Sequence, residues 1–177
     1  MKIVLVGYRG SGKTTLGKHL ASSLSVAFVD TDHIVESKAG MSISEIFHKE
    51  GESGFRLRET LALKEALLLG NAVIATGGGI ILRPENRLMI RTADLVVYLS
   101  APVSVLVERI RGDTNRPPLT DMPLEEEVMA TLKERLPLYE EVADLCIDTH
   151  LYTIEDATQE IIKRLKKEEP CNEPLFS

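Results

Sequence analysis

The residues with the clearest chemistry are Gly7, Gly12, Lys13 and Thr14, which satisfy the pattern G-x-x-x-x-G-K-[ST] directly after the β-branched run that ends at Val6. Glycines let the backbone wrap closely enough for its N–H groups to point at phosphate oxygens. Lys13 can reach β- and γ-phosphates, and the Thr14 hydroxyl is a ligand for Mg²⁺. The run before and the helical stretch after give the motif the context its mechanism requires. A phosphate-binding loop alone does not separate a switch, an ATPase and a small-molecule kinase, so later residues must decide.

The second apolar run ends in "VDTD", which sends Asp30 and Asp32 to the same sheet edge as the glycine loop. Two carboxylates there can divide the work, one orienting Mg²⁺ through its waters and the other accepting a hydrogen bond from an attacking hydroxyl. The plainer alternative is that they cap the next helix. Arg56 and Arg58 lie two apart on a helix and face different directions, so one can serve a site while the other is solvated. An isolated helical arginine is ordinarily a surface charge, and Arg135, beside Leu136-Pro137 where a proline bends or ends a helix, is open to the same reading. Gly77, Gly78 and Gly79 follow the third run, where three glycines cost too much chain entropy for a casual turn and would let a substrate approach backbone N–H groups. Arg116 sits in "RGDTNRPPL", a loop suited to act as a lid that brings a cation to a transferring phosphoryl group.

The elements that must position these groups are legible in the hydrophobic pattern. Short β-branched runs at Ile3-Val6, Val26-Val29, Ala72-Ala75, Leu95-Leu99 and Leu145-Ile147 read as parallel strands buried on both faces. Helical periods fill Thr14-Leu24, Ile34-Ala39, Ile43-Lys49, Gly54-Leu69, Pro84-Ile90, Pro102-Arg111, Leu124-Glu141 and Ile154-Lys166, with Ser42 and Glu45 as a capping pair. Alternating strands and helices give right-handed βαβ units and an open α/β sheet whose ligands bind beyond the strand carboxyl ends. One domain over residues 1–166 is expected, with a lid at about 111–123, a substrate-binding region at about 31–60 and a disordered tail at 167–177.

Composition narrows the classes. A formal charge of −6 and a pI near 5.3 argue against broad nucleic-acid binding. The positions of Cys146 and Cys171 suggest neither a disulfide framework nor a zinc cluster, and His19, His33, His48 and His150 show no metal-ligand spacing. No signal peptide and no apolar run of spanning length is seen, so a cytoplasmic protein with no membrane partner is expected.

Taken together, "GYRGSGKT", "DTD", "GFRLRE", "TGGG", "RPPL" and "ERLPLYEEVAD" stand in an order and spacing that resembles the shikimate kinases, over about Lys2 to Thr149. The resemblance implies a P-loop kinase fold like that of the nucleoside-monophosphate kinases: a central five-stranded parallel sheet flanked by helices, a substrate-binding helical region and a mobile lid. It implies Mg²⁺-dependent transfer of the ATP γ-phosphate to the 3-hydroxyl of shikimate, in the aromatic amino acid pathway; a monomer is expected. Carried onto the matching residues, Gly10, Ser11, Gly12, Lys13, Thr14 and Thr15 bind the phosphates, Thr14 ligates Mg²⁺ directly and Asp30 does so through water. Asp32 holds the shikimate hydroxyls and orients the nucleophile. Arg56 and Arg135 hold the carboxylate beside Gly77, Gly78 and Gly79, with Gly78 lending a backbone N–H. Arg116 reaches the phosphates and Arg109 packs near the adenine. Lys13, Asp32 and Arg116 are the expected catalytic residues. Two departures from the family pattern are the lid's Arg116-Pro117-Pro118-Leu119 and the lack of an arginine after Asp148-Thr149. A kinase of the same fold acting on gluconate or a nucleoside monophosphate, or a non-catalytic nucleotide-binding module, are the alternatives; Arg56 with Gly77-Gly79 and Arg135 favours a carboxylate-bearing polyol.

Overall fold

A computed structural model describes residues 1–111 and 123–168. Arg116, most of the expected lid and nearly all of the expected tail lie outside the described residues. Five strands, β1 (Lys2–Val6), β2 (Ala27–Asp30), β3 (Ala72–Ala75), β4 (Leu95–Ser100) and β5 (Leu145–Asp148), pair in the order β2-β3-β1-β4-β5, every pair parallel. The central strands β1, β3 and β4 are buried nearly throughout, as their continuous β-branched runs require. The edge strands β2 and β5 are only partly covered, which corrects the expectation of burial on both faces for all five: an edge strand has a neighbour on one side only.

Helices cover both faces. They are α1 (Lys13–Leu24), α2 (Thr31–Ala39), α3 (Ile43–Leu68), α4 (Pro84–Ile90), α5 (Val103–Arg111), α6 (Leu124–Val142) and α7 (Ile154–Glu168). One core cluster joins Val4, Ile74 and Val96 to Leu63, Ile90 and Tyr139; the other joins Ile3, Leu5 and Val97 to Leu16, Leu20 and Ile161. Such contiguous apolar burial is the main stabilising term of a domain of this size. Helix α3 opens on a capping box in which Ser42 and Glu45 satisfy each other's backbone N–H groups, and it kinks at Gly51, φ 68°. Helix α6 runs through Pro137, as the helical period over Leu124-Glu141 predicts. Proline removes one helical hydrogen bond, but Tyr139 and Val142 just beyond it are buried in the core and hold the last turn in place.

Candidate active site

The carboxyl ends of β1, β2 and β3 deliver the three loops that build the site. After β1 the chain turns through Gly7 (φ 147°) and Gly12 (φ 91°), conformations that side chains disfavour; a methyl on Gly7 would also meet the Leu99 carbonyl at 2.4 Å. Gly12 ends the loop as the N-cap of α1 with no side-chain cap, so the helix's first N–H groups and its positive dipole end face the phosphate loop. Lys13 is buried, and its Nζ donates to the carbonyls of Gly7 and Tyr8, both at 2.8 Å. The lysine therefore also shapes the loop it serves.

Asp30 performs two tasks at once. Its Oδ1 accepts from the Asp32 N–H at 3.0 Å, capping α2, and its Oδ2 accepts from the Thr14 hydroxyl at 3.0 Å. The capping role and the site role are compatible because a carboxylate has two oxygens. Asp32 follows in the first turn of α2, and its Oδ1 packs against Gly77, where a methyl would come within 2.7 Å.

The three glycines answer a demand for space, since none of them has a positive φ. A methyl on Gly77 would press on Glu59 and Asp32, and one on Gly79 would stand 2.2 Å from the Arg56 guanidinium. Arg56 donates to buried Glu59 at 2.8 Å and to Glu52 at 3.1 Å, whereas Arg58 pairs with Glu50 on another side of α3. Burial pushes the Glu59 carboxyl above the ordinary carboxylate range, opposed by Arg56 and, more weakly, Arg135. Arg135, on α6, donates to the Gly78 carbonyl at 3.2 Å; Tyr139 donates to the same oxygen at 2.5 Å, and its hydroxyl pKa is raised by burial.

Two cavities result. The first, about 500 Å³, is lined by Gly10, Gly12, Lys13, Thr14, Thr15, Asp30, Asp32, Gly78 and Arg109, with Thr149 and Tyr152 farther along. The second, about 470 Å³, is lined by Arg56, Gly78, Gly79 and Arg135 together with Tyr8, Glu59 and Phe55. Nearly every expected residue among those described is thus brought to one of the two. Ser11 and Gly77 are not on a wall: Ser11 is buried with its N–H on the Tyr8 carbonyl, and Gly77 is the floor on which Asp32 and Glu59 pack. Arg109 lines the first cavity while tying the Gly10 carbonyl to Thr149, with contacts of 2.9–3.2 Å.

The profile of the shikimate kinase family matches residues 9–166. This chain belongs to the shikimate kinase family. A shikimate kinase from Nitrosococcus oceani is 46% identical over 166 residues, 93% of this chain and 87% of its own length. A shikimate kinase 2 from Shigella boydii is 51% identical over 149 residues, 82% of this chain and 85% of its own. The shikimate kinase of Acinetobacter baumannii, solved in complex with shikimate, superposes with a TM-score of 0.90 at 43% identity, covering 95% of this chain and 94% of that one. Shikimate kinases are ATP-dependent phosphotransferases, and the P-loop kinase fold described above is theirs.

Sequence reasoning missed two side chains that shape this shikimate-kinase site. Glu59 was visible as the acid one helical turn after Arg56 in "GFRLRE". Arg9, on the walls of both cavities, carried no signal, because the phosphate-loop pattern leaves its position open.

Proposed function

We propose that this chain transfers the γ-phosphate of ATP to the 3-hydroxyl of shikimate, with nucleotide in the first cavity and shikimate in the second. The observation that carries the reading is the junction of the two cavities at Gly78, with Asp32 on the nucleotide side and Arg56 and Arg135 on the other. Asp32 accepts the hydrogen bond of the attacking hydroxyl and receives its proton as the new oxygen–phosphorus bond forms and the γ-phosphorus bond to the bridging oxygen breaks, releasing ADP. Two guanidinium groups suit a small carboxylate because each offers paired N–H donors in a fixed plane. Lys13 and the N-terminus of α1 hold the phosphates and offset charge on the transferring group.

Thr14 and Asp30 fit Mg²⁺: their oxygens stand 3.0 Å apart on the nucleotide cavity wall, and a hard cation bound together with phosphates needs few protein ligands. Bound there, the ion neutralises charge on the β- and γ-phosphate oxygens. Arg116 stays in the proposal on its motif alone, as a further cation for the phosphates. The protein is read as a cytoplasmic monomer; no helix among the described residues is long and apolar enough to cross a membrane.

The test is ADP release with ATP·Mg²⁺ and, in turn, shikimate, gluconate, AMP or no acceptor. Shikimate alone should accelerate release. A faster reaction with gluconate or AMP, or equal release without acceptor, would reassign the second cavity.

A further inference from the structure

Among the described residues, Arg9 and Gly78 line both cavities, and of these two only Arg9 has a side chain. Their backbones run close together: a methyl on Gly78 would lie 3.2 Å from the Arg9 backbone nitrogen. Arg9 therefore stands at the boundary that a phosphoryl group crosses. Its Nη2 donates to Glu127 Oε1 at 2.6 Å, across 118 residues of chain, and the Glu127 side chain is fully buried.

Glu127 is in the first turn of α6, eight residues before Arg135, a distance of about 12 Å along a helix. Arg135 is fastened in turn to the Gly78 carbonyl. Between these two attachments lies the Tyr8 ring, whose centroid is 6.0 Å from the Arg9 guanidinium carbon and 5.9 Å from that of Arg135. Helix α6 is thus joined to the phosphate loop at one point and to the glycine run at another.

We infer that Arg9 is a positioning residue: its buried ion pair with Glu127 locks α6 onto the phosphate loop and sets how far Arg135 stands from the transferring phosphate. The inference rests on the reading above, in which Arg135 grips the acceptor's carboxylate. Stability does not call for such a pair, because well-packed apolar side chains of similar volume usually do as well or better. What they lack is direction: a planar guanidinium with fixed N–H vectors sets the register between two elements, and a greasy contact can slide.

The experiment is steady-state kinetics on the wild type, Arg9→Met, Glu127→Met and the double variant, with affinity for a non-hydrolysable ATP analogue measured in the absence of shikimate. Each single change should raise KM for shikimate by roughly tenfold, and the double should be no worse than the worse single, because residues acting as a unit are not additive. Analogue affinity should stay within about threefold of wild type, since backbone N–H groups and Lys13 hold the phosphates. Should the methionine variants fail to fold, Glu127→Gln, which keeps volume and one neutral acceptor but removes the charge, should raise KM for shikimate in the same direction by less than about tenfold, and an unmoved KM would overturn the inference.

Losses that multiply in the double variant, or a loss with Arg9→Met while Glu127→Met is neutral, would mean that Arg9 acts on substrate by itself and would overturn the inference. So would a lower kcat with KM for shikimate unmoved, the signature of less folded enzyme. A wild-type enzyme that leaves shikimate untouched removes the functional reading and this inference together, an outcome visible in the control before any variant is compared.

Discussion

At the scale of single residues, the site works because each charged group has two jobs, and its neighbours hold it to both. Asp30 caps α2 with one oxygen and meets Thr14 with the other, while Asp32, held in that capped turn, keeps its carboxylate against Gly77. Asp32→Asn keeps the shape and removes the negative acceptor, so kcat should fall by on the order of 10²-fold or more with ATP affinity nearly unchanged. A weaker affinity for ATP·Mg²⁺ at unchanged kcat would place Asp32 with the metal instead. The clamp makes a different prediction: Arg56→Ala or Arg135→Ala leaves a largely desolvated carboxylate short of a partner, a loss of about 3–5 kcal/mol, or roughly 10²–10³ in kcat/KM. Lysine at either position should restore only part of this, because an ammonium cannot make the planar two-pronged contact. A shikimate analogue carrying a neutral amide is the control. If alanine costs as much with the amide as with the acid, the arginines are structural.

At the scale of elements, the glycine run connects local sequence to geometry that only the folded chain reveals. Gly79→Ala would drive a methyl into the Arg56 guanidinium, the mobile end of a long side chain, so Arg56 should move and the fold should survive. The variant is therefore expected to reproduce the shikimate KM defect of Arg56→Ala with a melting temperature close to wild type; a large loss of stability with KM unchanged would show that the clash is absorbed by the backbone instead. The strands were readable in the sequence because continuous β-branched runs leave few other folds, and the kink in α3 at Gly51 falls in the gap left between the helical periods Ile43-Lys49 and Gly54-Leu69. The glycine loop, the aspartates and the arginines were readable through motif order. What could not be read was which acids go inside. Nothing near Glu127 announces that it meets Arg9, and Glu59 is buried because Gly77, from a different strand end, leaves room for it. Long-range packing decides such choices, and the hydrogen bond from Tyr139 to the Gly78 carbonyl, across 61 residues of chain, is another case.

At the scale of the whole molecule, an acidic chain of net charge −6 gathers Lys13, Arg56, Arg109 and Arg135 on two adjoining cavities, with Arg9 at their junction tied to Glu127, an arrangement that suits anionic substrates. Holding those cations in place puts acids inside the protein, and Glu59 bears the largest burden of this: it is fully buried, and its Oε1 has no hydrogen-bond partner among the described residues. Burial raises its pKa above the usual 4.5; Arg56 and Arg135 pull it back, while Glu52 adds to the rise. The folded chain then binds a proton that the unfolded chain has already released. Stability from this group is full below the ordinary carboxylate value and is lost as pH rises through the raised one. Glu45 and Glu50 carry the opposite sign, lowered by Ser42 and Arg58 respectively, but they are unchanged in a Glu59→Gln variant and cancel when it is compared with wild type. Urea unfolding of the two proteins from about pH 4 to about pH 8 should therefore show wild type losing ground to Glu59→Gln as pH rises. Shikimate turnover should move the other way, with the variant impaired throughout because Arg56 has lost the carboxylate that holds it from below. A stability difference that is flat with pH, or that favours wild type increasingly toward alkaline pH, would show that Arg56 keeps Glu59 ionised at no cost to the fold.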